Sequence, residues 1–328
     1  MRPFQHVHAP NLEAAVVLLS APEALPIAGG TDLLTELKAR IRTPGKLVNL
    51  KTIPDLRQIR EENGSLIIGS LTSVSEIGAS DIVRKRFPIL SQAAATVGTR
   101  QIRNAGTSAG NLCQSVRCWY YRHPEVKCWL KGGDTCYARL GNSRLHAIFG
   151  KCPCIAVNPS DLAPALAALD AAVRIAAKDG VREQPVESLY RLPQPSHRKQ
   201  TVLKPDELIK EIVIPIRQEF SAGIYLKVME RAAWSFALVS IAIQIDWNGD
   251  RVERSRFVFG GVAGAPWRAL EAEKIIAGQK LDEGVIDAAA REAVRKAAPL
   301  ESNRYKVPMA GNLLRKGLRQ LAGAQRLL

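Results

Sequence analysis

Apolar residues in NLEAAVVLLSA recur at helical spacing, and the next stretch, ALPIAGG, is a short apolar run closed by glycines. TDLLTELKARI then places Leu33, Leu34, Leu37 and Ile41 on one helical face. The chain therefore opens with helix, strand, glycine turn and helix. KLVNL and SLIIGSL have the composition of strands, and FPILSQAAATVG that of a helix stopping at Gly98. A glycine- and asparagine-rich loop, RNAGTSAGN, follows. SDLAPALAALDAAVRIAA reads as a helical run with Ser160 or Asp161 as its cap. The proline- and charge-rich stretch LPQPSHRKQTVLKPDE separates this α/β part from strands EIVIPI, GIYLKVM, FALVSIAIQI and RVERSRFVFGG. Amphipathic helices in WRALEAEKIIAG, LDEGVIDAAAREAVRKAA and GNLLRKGLRQLAGAQRLL complete the chain, which has no internal repeat.

A length of 328 residues suits about two domains, and 46% apolar content suits a globular protein with real cores. The longest apolar stretch, FALVSIAIQI, is too short for a membrane span. The N-terminus lacks the apolar region and small-residue site of a secretory signal, so no export address on this chain is expected. The net charge of +15 comes from scattered Lys and Arg, with no basic helix interleaved with aromatics. That pattern argues against nucleic acid and for an anionic cofactor or an acidic partner.

Two segments have the chemistry of a phosphate seat. In PIAGGTDLL, glycines allow a sharp turn and let backbone N–H groups approach a phosphate at a helix N-terminus, although the spacing is neither Rossmann nor Walker A. A tight strand-to-helix turn with Asp32 as cap is the plainer reading. GTRQIRNAGTSAGN, residues 98–111, offers hydroxyls, an amide, glycines, Arg100 and Arg103. Two such loops in one α/β domain point to a dinucleotide. FGGVAGAPWRA is a third glycine-rich stretch, but Pro266 interrupts it and it reads as structural.

All six cysteines lie between 113 and 154. Nine residues separate Cys118 from Cys128, seven separate Cys128 from Cys136, and seventeen separate Cys136 from Cys154. Structural zinc sites favour closer pairs, whereas an iron–sulfur cluster needs four thiolates at tolerant spacing. Cys152 and Cys154 compete for the fourth place, His123 and His146 are alternative ligands, and redox or free thiols remain a further reading.

Together these features resemble the FAD-binding medium subunit of the xanthine dehydrogenase (molybdenum hydroxylase) family. PIAGGTDLL and TRQIRNAGTSAGNLC are similar to that family's two flavin-pyrophosphate loops, and NPSDLAPAL to its PSD segment. KVMERAAWSFALVSIAI and FGGVAGAPWRA are similar to its C-terminal domain, so the likeness spans essentially the whole chain. Most members lack the cysteine segment. It is similar to the insertion carrying an extra [4Fe-4S] cluster in the flavoprotein subunits of 4-hydroxybenzoyl-CoA reductase and of bacterial periplasmic aldehyde oxidoreductase.

The resemblance implies an α+β fold. Residues 1–212 would form a two-part FAD-binding domain of the vanillyl-alcohol-oxidase (PCMH) type, with the cysteine insertion at about 114–156. Residues 213–328 would form a C-terminal α/β domain of the CO dehydrogenase flavoprotein type, a three-stranded sheet with a helix bundle. Ala28, Gly29, Gly30, Thr31 and Asp32 would wrap the FAD pyrophosphate together with Gly106, Thr107, Ser108, Ala109, Gly110 and Asn111. Asp161 would help hold the nucleotide part, and Lys227 would lie toward the flavin. The same resemblance implies Cys118, Cys128, Cys136 and Cys154 as cluster ligands. Many relatives carry a second glycine where this chain has Ala109.

The chain lacks a C-x₄-C-x₂-C ferredoxin run and is too short to add a molybdopterin domain. The implied role is an oxidoreductase subunit with no catalytic residues of its own. It would pass electrons through FAD and a [4Fe-4S] cluster, between partner subunits and an external one-electron carrier such as ferredoxin. Those partners would be a [2Fe-2S] small subunit and a molybdopterin large subunit, with molybdenum or tungsten. A stand-alone FAD-dependent reductase and a zinc-stapled nucleotide-binding module are the alternatives. The expected location is cytoplasmic, or exported as a passenger on a partner's twin-arginine signal.

Overall fold

The computed structural model describes residues 1–216 and 221–325. A parallel sheet is built from β1 (Gln5–His8), β2 (Ala24–Ile27) and β3 (Lys46–Asn49) in the order β1-β3-β2. Helix Leu12–Leu19 links β1 to β2, and the Asn11 side chain caps it by accepting from the Ala14 N–H at 2.8 Å. Its buried face is Ala15, Val16 and Leu19. Helix Leu33–Lys38 starts directly after the glycine turn.

The second sheet is antiparallel and contains β4 (Ile59–Glu62), β5 (Ser65–Gly69), β6 (Ala172–Ala177), β7 (Gly180–Pro185) and β8 (Leu208–Pro215). Its order is β4-β5-β8-β6-β7. The late strand β8 sits between β5 and β6, where Ile212 and Ile214 join Leu66, Ile68, Val173 and Ile175 in the core under helices Pro88–Ala95 and Leu162–Ala168. Each such side chain stabilises the fold by about 1.5–3 kcal/mol through burial. The expected division at 212/213 falls inside β8, which continues to Pro215 and pairs there with Ser65.

The third sheet has the order β12-β11-β10-β9, with β9 (Ser221–Val228), β10 (Val239–Asn248), β11 (Arg251–Gly260) and β12 (Trp267–Arg268). A two-residue strand thus joins the three expected ones. Val239, Ile241, Ile243 and Ile245 pack with helices Leu270–Ile276, Glu283–Val294 and Lys306–Gln325, while Ala242 packs with Tyr225 and Val258 into the core of the first domain. This alternation is the period of two of a strand. Both faces of the sheet are covered, which is why FALVSIAIQI reads as one apolar run. Among the described residues no helix is long and apolar enough to cross a membrane.

Two local expectations are corrected. The run SDLAPALAALDAAVRIAA is helical only over Leu162–Ala168; Asp170 adopts φ 52° and the chain turns into β6, where Val173 and Ile175 alternate with Arg174. Of the two candidate caps, Ser160 is the one whose side chain accepts, taking the Ala163 N–H at 3.0 Å. The second glycine loop contains two short helices, Arg100–Ala105 and Ser108–Leu112, capped by Thr99 and Thr107.

Candidate functional site

The two glycine loops meet. A Cβ built on Gly29 would overlap the carbonyl oxygen of Ala105, so only glycine lets the turn after β2 approach the end of helix Arg100–Ala105. Gly30 takes the left-handed φ of 69° that reverses the chain. Among the described residues no acceptor takes the backbone N–H groups of Gly29, Gly30, Thr31 or Asp32. Ala28, just before them, packs partly buried against the core of the parallel sheet.

In the second loop most groups are engaged internally. The Ser108 hydroxyl donates to the Gly69 carbonyl at 2.8 Å, its N–H to Thr72 at 2.8 Å, and the Ala109 N–H to Ser70 at 3.2 Å. Thr107 Oγ1 accepts from the Gly110 N–H at 3.2 Å. The Gly106 carbonyl accepts from the Val74 N–H at 2.9 Å. Asn111 Oδ1 accepts from the Ser160 hydroxyl at 2.6 Å, which ties the PSD segment to this loop. Donors without a partner among the described residues include the Thr107 N–H and the Asn111 side-chain amide. Both loops thus contribute unpaired donors and no free negative charge, a donor set that fits a pyrophosphate.

Three charged residues are engaged with protein. Lys227 Nζ lies 2.8 Å from Asp161 Oδ2 and donates to the Thr96 carbonyl at 3.0 Å, and the Tyr225 hydroxyl donates to Asp161 Oδ1 at 2.8 Å. This buried set latches β9 to the segment that opens helix Leu162–Ala168. The Asp32 carboxylate accepts from the Ser115 N–H at 2.7 Å and pairs with Arg117 at 2.8 Å and Arg122 at 2.7 Å. Asp32 does not cap its helix by side chain. Its carboxylate fastens the cysteine insertion to the first glycine loop. One turn on, buried Glu36 accepts from the Tyr121 hydroxyl at 2.9 Å and pairs with Arg42 at 3.1 Å. Sequence reading missed this acidic pair at i and i+4, a spacing that puts both on one helix face.

Within the insertion, Cys118, Cys128, Cys136 and Cys154 line one small cavity, partly open to solvent, whose walls include Tyr121, Trp129 and Leu130. Cys152 points elsewhere: its thiol donates to the Pro193 carbonyl at 2.9 Å. Cys113 and His123 are exposed. Arg198 stacks over Trp129 at 4.6 Å and donates to the carbonyls of Trp129 at 2.6 Å and Gly133 at 2.7 Å, holding the turn around Cys128. Burial pushes the Cys118 thiol up to about 11 and Cys154 further, with neighbouring thiols adding to both shifts. Thiolates gathered here need a compensating cation. His146 lies 3.2 Å from Cys118 Sγ and titrates down at about 4, through burial and the nearby Lys306. Lys306, itself fully buried, is pulled down to about 7 by desolvation. Among the described residues no three His, Cys, Asp or Glu side chains converge closely enough to hold a metal ion.

Paired glycine loops presenting backbone donors, with a second sheet-and-helix domain latched behind them, define a protein of the dinucleotide-cofactor class. Residues 2–217 match the FAD binding domain in molybdopterin dehydrogenase, and residues 224–321 match the CO dehydrogenase flavoprotein C-terminal domain. Over 314 residues the chain is 34% identical to the aldehyde oxidoreductase FAD-binding subunit of Escherichia coli (strain K12), covering 95% of both. It is 26% identical over 321 residues to the carbon monoxide dehydrogenase medium chain of Afipia carboxidovorans, covering 96% of this chain and 95% of that one. A crystal structure of the Cu,Mo-CO dehydrogenase superposes with a TM-score of 0.78 at 26% identity, covering 99% of this chain and 100% of that one. The chain belongs to the FAD-binding medium subunits of the molybdenum hydroxylase family, whose members are oxidoreductase subunits.

Proposed function

We propose that this chain is the flavin and iron–sulfur electron-transfer subunit of a molybdenum (or tungsten) hydroxylase-type complex. The observation that carries the iron–sulfur part is the convergence of Cys118, Cys128, Cys136 and Cys154 on one cavity, with Cys152 turned away. A cluster is several atoms wide and spaces its ligating sulfurs further apart than one ion does. Four thiols facing one opening supply the four thiolates a cluster needs, at sequence spacings wider than the close pairs of structural zinc. The backbone donors of Gly29 to Asp32, with the Thr107 N–H and the Asn111 amide, would hold the FAD pyrophosphate. FAD, when bound, supplies the exchange between two-electron and one-electron chemistry.

Substrate chemistry then belongs to a partner molybdopterin subunit, with a [2Fe-2S] small subunit beside it. The external partner would be a one-electron carrier; an acidic ferredoxin suits the net charge of +15. Residence in the cytoplasm, or export as a passenger on a partner's twin-arginine signal, completes the reading. The test is iron, acid-labile sulfide, zinc and flavin per chain in anaerobically purified complex, corrected for iron on partner subunits. About four iron, four sulfide and one FAD are expected, with the four iron lost in Cys128→Ser. Zinc in place of iron, or flavin with no metal on this chain, would remove the cluster from the proposal.

A further inference from the structure

His146 stands beside the cysteine cavity without lining it. It is 2% exposed, and its Nε2 lies 3.2 Å from Cys118 Sγ. Its other ring nitrogen, Nδ1, is buried with no partner among the described residues. The ring sits edge-on to Trp119, with centroids 5.7 Å apart and planes at 71°. Its backbone is pinned on both sides: the His146 N–H donates to Ser143 at 2.9 Å, and Asn303 Nδ2 donates to the carbonyls of His146 at 3.3 Å and Ala147 at 3.2 Å. Turning the ring away would give up its contacts with Trp119 and Cys118.

We infer that His146 is a positioning residue for the cysteine site, donating an Nε2–H···S hydrogen bond to the Cys118 thiolate. The inference rests on the cluster reading of the same site. A ligating thiolate has no proton to give, so its neighbour must be the donor. The tautomer with hydrogen on Nε2 puts the only ring N–H on the sulfur, whereas the other tautomer would bury an N–H with no acceptor. A hydrogen bond to a ligating sulfur draws off negative charge and stabilises the reduced, more negative cluster, raising its potential.

The test is a redox titration of the cluster in the complete complex, followed by electron paramagnetic resonance, for the natural protein, His146→Phe and His146→Gln. In His146→Phe the reduced-to-oxidised ratio at the natural midpoint falls about tenfold, equivalent to about 59 mV for a one-electron couple. His146→Gln, which keeps a donor, restores most of the shift, and iron per chain is unchanged in both. Retained iron with an unmoved potential in His146→Phe overturns the inference, as does loss of iron in both variants, which would make His146 a ligand or a structural support. Should His146→Phe not fold, pulsed resonance on the natural protein with ¹⁵N-histidine decides. A weak nitrogen coupling through sulfur supports the bond, and a strong direct coupling or none overturns it. A natural protein with no cluster at all overturns the cluster reading itself and this inference with it.

Discussion

Asp32 shows how one side chain can carry two readings. Its place in PIAGGTDLL resembles a cofactor contact, while its carboxylate is engaged by the Ser115 N–H, Arg117 and Arg122 of the insertion. Arg117 also stacks over Phe236 at 4.9 Å, so loss of its counter-charge disturbs a second contact. Asp32→Asn is expected to weaken the docking of the insertion, at about residues 114–156, by about 1–3 kcal/mol, below the cost of breaking a fully buried pair because the partners are partly exposed. Hydrogen exchange would read this as faster exchange confined to the insertion, with flavin per chain retained. Lost flavin with unchanged exchange would return Asp32 to the cofactor. The same scale separates Cys154 from Cys152, which sequence spacing left equivalent: only the fold puts the Pro193 carbonyl within reach of one thiol.

At the level of elements, the glycine turn and the end of helix Arg100–Ala105 form one unit although about seventy residues of chain lie between them. Gly29→Ala would force a methyl group into the Ala105 carbonyl. We expect a loss of about 3 kcal/mol or more and a marked fall in flavin per chain, measured by thermal unfolding and by absorbance after gel filtration. An unchanged melting temperature with full flavin would show that the loops need not touch. The long apolar strands and the C-terminal helices were legible from periodicity. Strand β4 was missed, although Asn63 and Gly64, with φ of 49° and 70°, announce a tight hairpin into β5. The polar composition of β4 and β7 hid them, because each lies at an edge of its sheet with a wet face and needs no apolar run.

Across the whole molecule, the buried Asp161–Lys227 pair joins the two domains. Lys227→Met leaves Asp161 buried with its charge unmatched, and a cost of about 3–5 kcal/mol is expected. The double variant Asp161→Asn with Lys227→Met should recover much of that loss, because both charges leave together. Denaturant unfolding of the four proteins measures the coupling. A single variant costing under about 1 kcal/mol would mean that the pair does not latch the domains.

What the amino-acid order determined by itself is local. Glycines placed the two sharp turns, alternating and helical apolar spacing placed the main strands and helices, and the crowding of cysteines marked the insertion as a candidate site. The tertiary structure decided what depends on distant parts of the chain meeting. It seated β8 between β5 and β6, apposed Gly29 to Ala105, turned Asp32 toward the insertion and Cys152 toward Pro193, and set His146 beside Cys118. Each of these is a contact between segments far apart in sequence. Residue type and spacing constrain such contacts only weakly, because the geometry that selects them exists only once the cores have packed.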